Sequence, residues 1–203
     1  SIQSNTGYRS FQTLVVDNGS EDGSHEIAEK KEGVKLKKLE RNLGFDIANN
    51  KAIYDNPEYD YYLLLNNDTE VKEGWLSSLV ETSEKQDAGL VGPKILYPDH
   101  TIQSAGFVNP GNKNIREGLE SEEFNETEEV DAVHGAAMMI RRDVIEKIGY
   151  LDEIFSLGNC EEWDYCSRAR ASGLSVYVNG ESEVIHKEDK TKELIDSKLV
   201  YLL

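Results

Sequence analysis

The stretch Tyr61-Tyr62-Leu63-Leu64-Leu65-Asn66-Asn67-Asp68-Thr69-Glu70 decides how the rest of the chain is read. An apolar, β-favouring run halted by short polar side chains describes a strand buried on both faces. In an open α/β sheet, ligands bind just beyond the carboxyl ends of such strands. The strand therefore delivers Asp68 to a site. Asn-Asn-Asp also has an ordinary use as turn chemistry, with Asp68 closing an Asx-turn or capping the helix that starts near Trp75. The residues of this stretch leave both readings open.

Outward from it, strand and helix patterns alternate. Toward the amino terminus, Phe11 to Asp17 reads as a strand ended by Asn18-Gly19, Ser24 to Lys31 as a helix capped by Ser24 or Asp22, and Val34 to Leu39 as the next strand. A helix then reaches Tyr54. Toward the carboxyl terminus, Trp75, Leu76, Leu79 and Val80 give Trp75 to Lys85 an apolar face at helical spacing. Ala88 to Leu96 is a strand, Tyr97-Pro98-Asp99 a turn, and Thr101 to Phe107 its antiparallel partner. Asn109 to Asp131, rich in acids, reads as a solvated loop. Short strands follow over Val130 to Val133 and Ala136 to Ile140, then a helix over Arg142 to Ile148 stopped by Gly149. Another helix opens at Glu161-Glu162-Trp163-Asp164 and runs to about Ser172. Val176 to Val178 and Val184 to His186 form the last strands. This alternation predicts an α/β fold with a mostly parallel sheet.

The chain has 203 residues, of which 22 are basic and 39 acidic, for a formal charge of −17. That length suits a single domain with a substantial core, and the charge, with no basic stripe, argues against nucleic acid as a partner. Two cysteines, Cys160 and Cys166, are too few for a disulfide framework and read as reduced packing residues. No signal peptide and no apolar run long enough to cross a bilayer is visible, so a cytoplasmic setting is the default. Were so acidic a chain to bind an anionic ligand, it would need a local remedy, which a divalent cation supplies.

Leu64-Leu65-Asn66-Asn67-Asp68-Thr69-Glu70-Val71 resembles the Asp-X-Asp and Asn-X-Asp metal motif of family 2 glycosyltransferases with the GT-A fold, in particular their rhamnosyltransferase-like branch. Further segments resemble the same family in the same order: Val15-Val16-Asp17-Asn18-Gly19-Ser20, Asn42-Leu43-Gly44-Phe45, Val91-Gly92-Pro93-Lys94-Ile95-Leu96-Tyr97-Pro98-Asp99, Gly135-Ala136-Ala137-Met138-Met139-Ile140-Arg141-Arg142 and Glu161-Glu162-Trp163-Asp164. The resemblance implies a Rossmann-like GT-A domain over residues 1–203, with a nucleotide-binding half (1–96) and an acceptor and catalytic half (97–203) that carries a small antiparallel portion. It also implies a chain trimmed at both ends. The strand and helix that open family members have no counterpart before Phe11, which would leave two strand edges exposed, and Ser197 to Leu203 is similar to the start of the family's next amphipathic helix.

By the same resemblance, Mg²⁺ or Mn²⁺ is held by Asp68 with Asn66 and His186. Asp17, Asn42, Gly44, Asn67 and Gly135 bind the nucleotide sugar, and Glu162, with Glu161 as fallback, removes the acceptor's hydroxyl proton. Asp is the family's usual residue at the position of Glu162, and the added methylene changes reach. Asp164 and Arg168, one turn apart, read as a helix-surface pair, and His134 as a packed residue. The implied reaction is inverting transfer of a sugar from a nucleoside diphosphate sugar to a saccharide or lipid-linked acceptor in polysaccharide or glycolipid assembly, at the inner face of a membrane reached through other segments. A catalytically weak nucleotide-sugar binding module is the main alternative. A nucleotidyltransferase is a weaker one, since no Gly-rich loop followed by Lys is present.

Overall fold

A computed structural model describes residues 1–108, 114, 116–155, 160–187 and the backbone of 199–202. Its ten strands are β1 (Gln12–Asp17), β2 (Val34–Lys38), β3 (Tyr61–Leu65), β4 (Thr69–Val71), β5 (Ala88–Leu96), β6 (Ile102–Ser104), β7 (Thr127–Glu129), β8 (Ala137–Arg141), β9 (Ser175–His186) and β10 (Leu199–Leu202). The helices are α1 (Ile2–Asn5), α2 (Ser24–Glu29), α3 (Phe45–Tyr54), α4 (Trp75–Gln86), α5 (Arg142–Ile148) and α6 (Glu161–Ala171). All strands join one sheet in the order β2-β1-β10-β3-β8-β5-β9-β4, with β6 on β5 and β7 on β9.

The central apolar run is what a sheet covered on both faces requires. Tyr62 and Leu64 pack on one side with Phe45, Ala48 and Ile53 of α3, Val144 of α5 and Tyr165, Cys166 and Ala169 of α6. Leu63 and Leu65 pack on the other with Trp75, Leu76, Leu79 and Val80 of α4. Alternate residues of one strand thus serve two cores, and no position of Tyr62–Leu65 is left to face water. Each such Leu contributes roughly 1.5–3 kcal/mol on burial.

The α/β expectation holds, but the sheet is mixed. Parallel pairing occurs between β1 and β2 and between β5 and β9, and the other pairs among described residues are antiparallel. The strands of the alternating pattern, β2, β1, β3, β5 and β9, do share one direction. Two antiparallel strands stand between them: β8 separates β3 from β5, and β10 separates β1 from β3. Both halves of the chain contribute to this one sheet.

The segment resembling a helix start is extended where it is described. Leu199–Leu202 pairs with Gln12–Leu14 on one side and Tyr62–Leu65 on the other, so the two edges expected to be exposed are bridged. Unpaired N–H and C=O groups on both flanks favour an extended segment there over a helix. Two further corrections concern the carboxyl half. Val176–Val178 and Val184–His186 belong to one continuous strand, β9, whose register on β5 shifts between Pro93 and Lys94. The short strand expected at Val130–Val133 lies instead at Thr127–Glu129.

The acidic loop is less solvated than its composition suggests. Residues 109–113 and 115 lie outside the described part, but 116–131 is anchored. Phe124 is buried under the Arg116 guanidinium, 4.1 Å from the ring centre, and Glu120 and Glu123 form a capping box. The fully buried Lys94 ammonium donates to the carbonyls of Ser121 and Phe124, both at 2.8 Å, and pairs with Glu183 at 2.9 Å. Of the cysteines, Cys166 is packed and its thiol is pushed up to about 12 by burial, whereas Cys160 is exposed in a left-handed turn ahead of α6. Among the described residues no helix is long and apolar enough to cross a membrane.

Candidate functional site

Because β1, β3 and β9 point the same way, their carboxyl ends meet at one edge of the sheet. These ends carry Asp17, Asn66-Asn67-Asp68 and His186. The antiparallel β8 starts at that edge, since Leu65 pairs with Ala137, so Gly135 and Ala136 arrive there too. Asn66 N–H donates to the Ala136 carbonyl at 2.9 Å, joining the two loops directly. A Cβ placed on Gly135 would touch the Glu162 carboxyl at 3.5 Å, so the first turn of α6 closes over this backbone. Topology thus gathers residues from 17 to 186 along a single rim.

Asp68 and His186 are the tightest pair on it. After Asp68 the chain turns into β4, where Thr69 pairs with His186 and the Lys187 N–H donates to the Asp68 carbonyl at 2.9 Å. His186 Nε2 then lies 3.3 Å from Asp68 Oδ1, while its Nδ1 lies 3.0 Å from Gln103 Oε1 of β6. Asp68 does not cap the following helix, whose first-turn cap position is Gly74. Asn66 is held through its backbone, the carbonyl accepting from Thr69 Oγ1 at 2.6 Å.

A row of rings leads from this pair to α6. His134 lies edge-on to His186 with ring centres 5.6 Å apart, Phe107 stacks on His134 at 6.1 Å, and Trp163 tilts against Phe107 at 5.1 Å. Part of His134 reaches solvent, yet the surrounding protein, with His186 beside it, pushes its imidazolium down to about 4 against the opposing pull of Asp68. His134 Nδ1 accepts the Ala136 N–H at 3.0 Å. Packing is what the sequence predicts for this histidine; its place between the Asp68–His186 pair and Gly135 is new.

At the other end of the rim, Asp17 is buried and its Oδ1 accepts the Ser20 N–H at 2.9 Å, with His25 3.8 Å from Oδ2. Asp17 and Asn67 both line a cavity of about 380 Å³ bounded by α1, α2 and β1. Asn42 Oδ1 accepts from Asn18 Nδ2 and from the Gly44 N–H, each at 2.9 Å, which locks the Asn42-Leu43-Gly44 turn onto the residue after Asp17. Gly44 has φ 86° and ψ 175°, a conformation open to glycine alone, as it leads into α3. Asp164 and Arg168 pair at 2.8 Å, and Arg168 also donates to the Ile148 and Tyr150 carbonyls, so these two residues brace α6 against the end of α5. Glu161 shares the first turn of α6 with Glu162.

Two residues on or behind the rim were given no role by the sequence. Gln103 lies beside Ser104 in a three-residue strand with one apolar member, and Lys94 sits in a strand buried throughout; only distant pairing reveals what each contacts.

Comparison with known proteins agrees with this layout. The pattern described as glycosyl transferase family 2 matches residues 1–149. The O-antigen biosynthesis protein RfbC of Myxococcus xanthus is 30% identical over 206 residues, which are 95% of this chain and 16% of that protein. The N-acetylglucosaminyl-diphospho-decaprenol L-rhamnosyltransferase of Mycobacterium tuberculosis is 26% identical over 214 residues, 90% of this chain and 69% of its own. The crystal structure of GalNAc-T7 with UDP, GalNAc and Mn²⁺ superposes with a TM-score of 0.73 over 92% of this chain and 40% of that one, at 18% identity, a likeness of fold. The family pattern runs through both the Asn42–Gly44 turn and the Asn66–Asp68 rim, and this chain belongs to glycosyl transferase family 2.

Proposed function

We propose that this chain is the catalytic core of an inverting glycosyltransferase that moves a sugar from a nucleoside diphosphate sugar to a hydroxyl of a saccharide or lipid-linked acceptor in glycan assembly. The observation that carries the reading is the joining of Asn66 to Ala136 and of Gly135 to Glu162. These contacts support a common mouth for Glu162, the base candidate, and the Asp68–His186 pair. The names of the relatives, O-antigen biosynthesis and rhamnosyltransferase, support the substrate class.

The donor set fits a divalent cation. Adjacent ligands of an octahedral ion, at bond lengths of about 2.1 Å, lie roughly 3 Å apart, and Asp68 Oδ1 and His186 Nε2 are 3.3 Å apart. Asp68 and His186 would hold Mg²⁺ or Mn²⁺, with Asn66 beside them, and the ion would supply Lewis-acid stabilisation of the departing diphosphate. Among the described residues no third His, Cys, Asp or Glu joins the pair, so the remaining positions would fall to the diphosphate, water and Asn66.

In this scheme Asp17 and the Asn42–Gly44 turn orient the nucleoside, Asn67 borders it, and the Gly135 backbone supports the sugar. The Glu162 carboxylate takes the acceptor's proton as its oxygen forms the new bond to the anomeric carbon and the bond to the diphosphate oxygen breaks. Glu161 is the reserve for this proton.

The test is transfer from a panel of nucleoside diphosphate sugars with Mn²⁺, comparing wild type with Glu162→Gln. Loss of at least roughly 100-fold in rate, with donor affinity kept, is the expected result. An undiminished rate removes Glu162 from the role. Donor binding with no turnover by the wild-type chain would replace the enzyme by a nucleotide-sugar binding module.

A further inference from the structure

His186 uses its two ring nitrogens for different partners, and one of them dictates what the other can do. An amide oxygen can only accept, so the 3.0 Å contact between His186 Nδ1 and Gln103 Oε1 places a proton on Nδ1. A neutral ring then carries its lone pair on Nε2, which faces Asp68 Oδ1 at 3.3 Å. Two acceptors turned toward each other at that distance are favourable when a cation lies between them.

Gln103 is suited to fixing this choice. It is 4% exposed, and its strand is pinned by Ile95 to Ser104 and Leu96 to Ile102 pairing. The neighbouring His134 has the opposite arrangement, its Nδ1 accepting the Ala136 N–H and leaving the proton to Nε2. The surroundings therefore do not impose one tautomer on both rings. The individual partner sets each.

We propose that Gln103 is a positioning residue that holds His186 as the Nδ1–H tautomer and so presents the Nε2 lone pair, beside Asp68, to a divalent cation. The inference rests on the assignment of Asp68 and His186 as cation ligands. An outer partner on the far nitrogen orients a ligating ring and raises its basicity, and losing one lowers affinity by about 10–100-fold.

Two measurements test it separately. Long-range ¹⁵N–¹H spectra of the metal-free protein, at a pH where the ring is neutral and with His186 assigned through His186→Gln, read the tautomer without touching Gln103. A protonated Nδ1 with a bare Nε2 is expected; the reverse overturns the proposal. Mn²⁺ affinity, followed by electron paramagnetic resonance with Mn²⁺ alone and with UDP, is then compared across wild type, Gln103→Met and Gln103→Glu. Gln103→Met is expected to weaken binding by about 10–100-fold, and Gln103→Glu, which restores an acceptor, to stay within about threefold of wild type. Equal affinity in Gln103→Met overturns the proposal, and if that variant does not fold, a large loss in Gln103→Glu does so. A wild-type protein whose Mn²⁺ binding is absent, or indifferent to Asp68→Asn, would instead remove the ligand assignment and with it the role toward a cation, while the tautomer result stands by itself.

Discussion

His134 and Gly135 are consecutive, and each turns a local constraint into a measurable effect. Burial and the adjacent His186 hold the His134 imidazolium down at about 4, below the ordinary 6.5. The unfolded chain therefore binds a proton between these values that the folded one refuses, and stability present above pH 6.5 is lost as pH falls toward 4. The gap corresponds to about 3 kcal/mol. Urea denaturation of the metal-free protein should show that decline, and His134→Phe should remove it. Gly135→Ala is the complementary case: the added methyl meets Glu162 at 3.5 Å, an ordinary contact, so the fold should accept it within roughly 0.5 kcal/mol. In the proposed scheme the methyl nonetheless presses on the Glu162 carboxylate, the group that takes the acceptor's proton. Transfer should fall by up to about 100-fold with the melting temperature unchanged, and a variant of full activity would separate Gly135 from the site.

At the scale of elements, the Lys94–Glu183 contact ties β5, β9 and the loop at Ser121 together. Glu183 accepts from Lys94 at 2.9 Å and pairs with Lys72 at 2.7 Å. Burial opposes its ionised form, but the donors around it prevail and hold its carboxyl down at about 2. Removing that charge strands the buried ammonium, so Glu183→Gln should destabilise the protein by about 3 kcal/mol, measured by chemical denaturation at neutral pH. A loss under about 1 kcal/mol would mean that the Ser121 and Phe124 carbonyls suffice for Lys94. This network also explains why the acidic loop was misread: its composition is that of a solvated segment, and its anchors, Phe124 and a lysine thirty residues away, leave no local periodicity. The helices over Trp75, Arg142 and Glu161 were legible because the apolar spacing of the first, the Gly149 stop of the second and the acidic first turn of the third are local signals. The single long β9 was not, because Asn179-Gly180-Glu181 looks like a turn until its pairing with β5 and β7 is known.

For the whole molecule, a formal charge of −17 sets a general self-repulsion. Sodium chloride raised from about 0.01 to 0.15 M shortens the screening length from roughly 30 to 8 Å, so the melting temperature should rise with salt; a fall would mean that the ion pairs outweigh the repulsion. The direction of the main strands was readable from their alternation with helices, and so was the rim at their carboxyl ends. The two antiparallel interlopers were not, since the side chains of β8 obey the same burial rule in either orientation. That orientation makes the β3–β8 ladder a ruler for the chemistry. Sliding β8 by two residues would return every side chain to its own face and preserve a well-packed sheet, yet carry Gly135 about 7 Å along the strand axis from its place beside Asn66. Such a molecule would pass for native by compactness and helix content while Glu162 and the Asp68–His186 pair, in the roles proposed for them, no longer faced the same sugar.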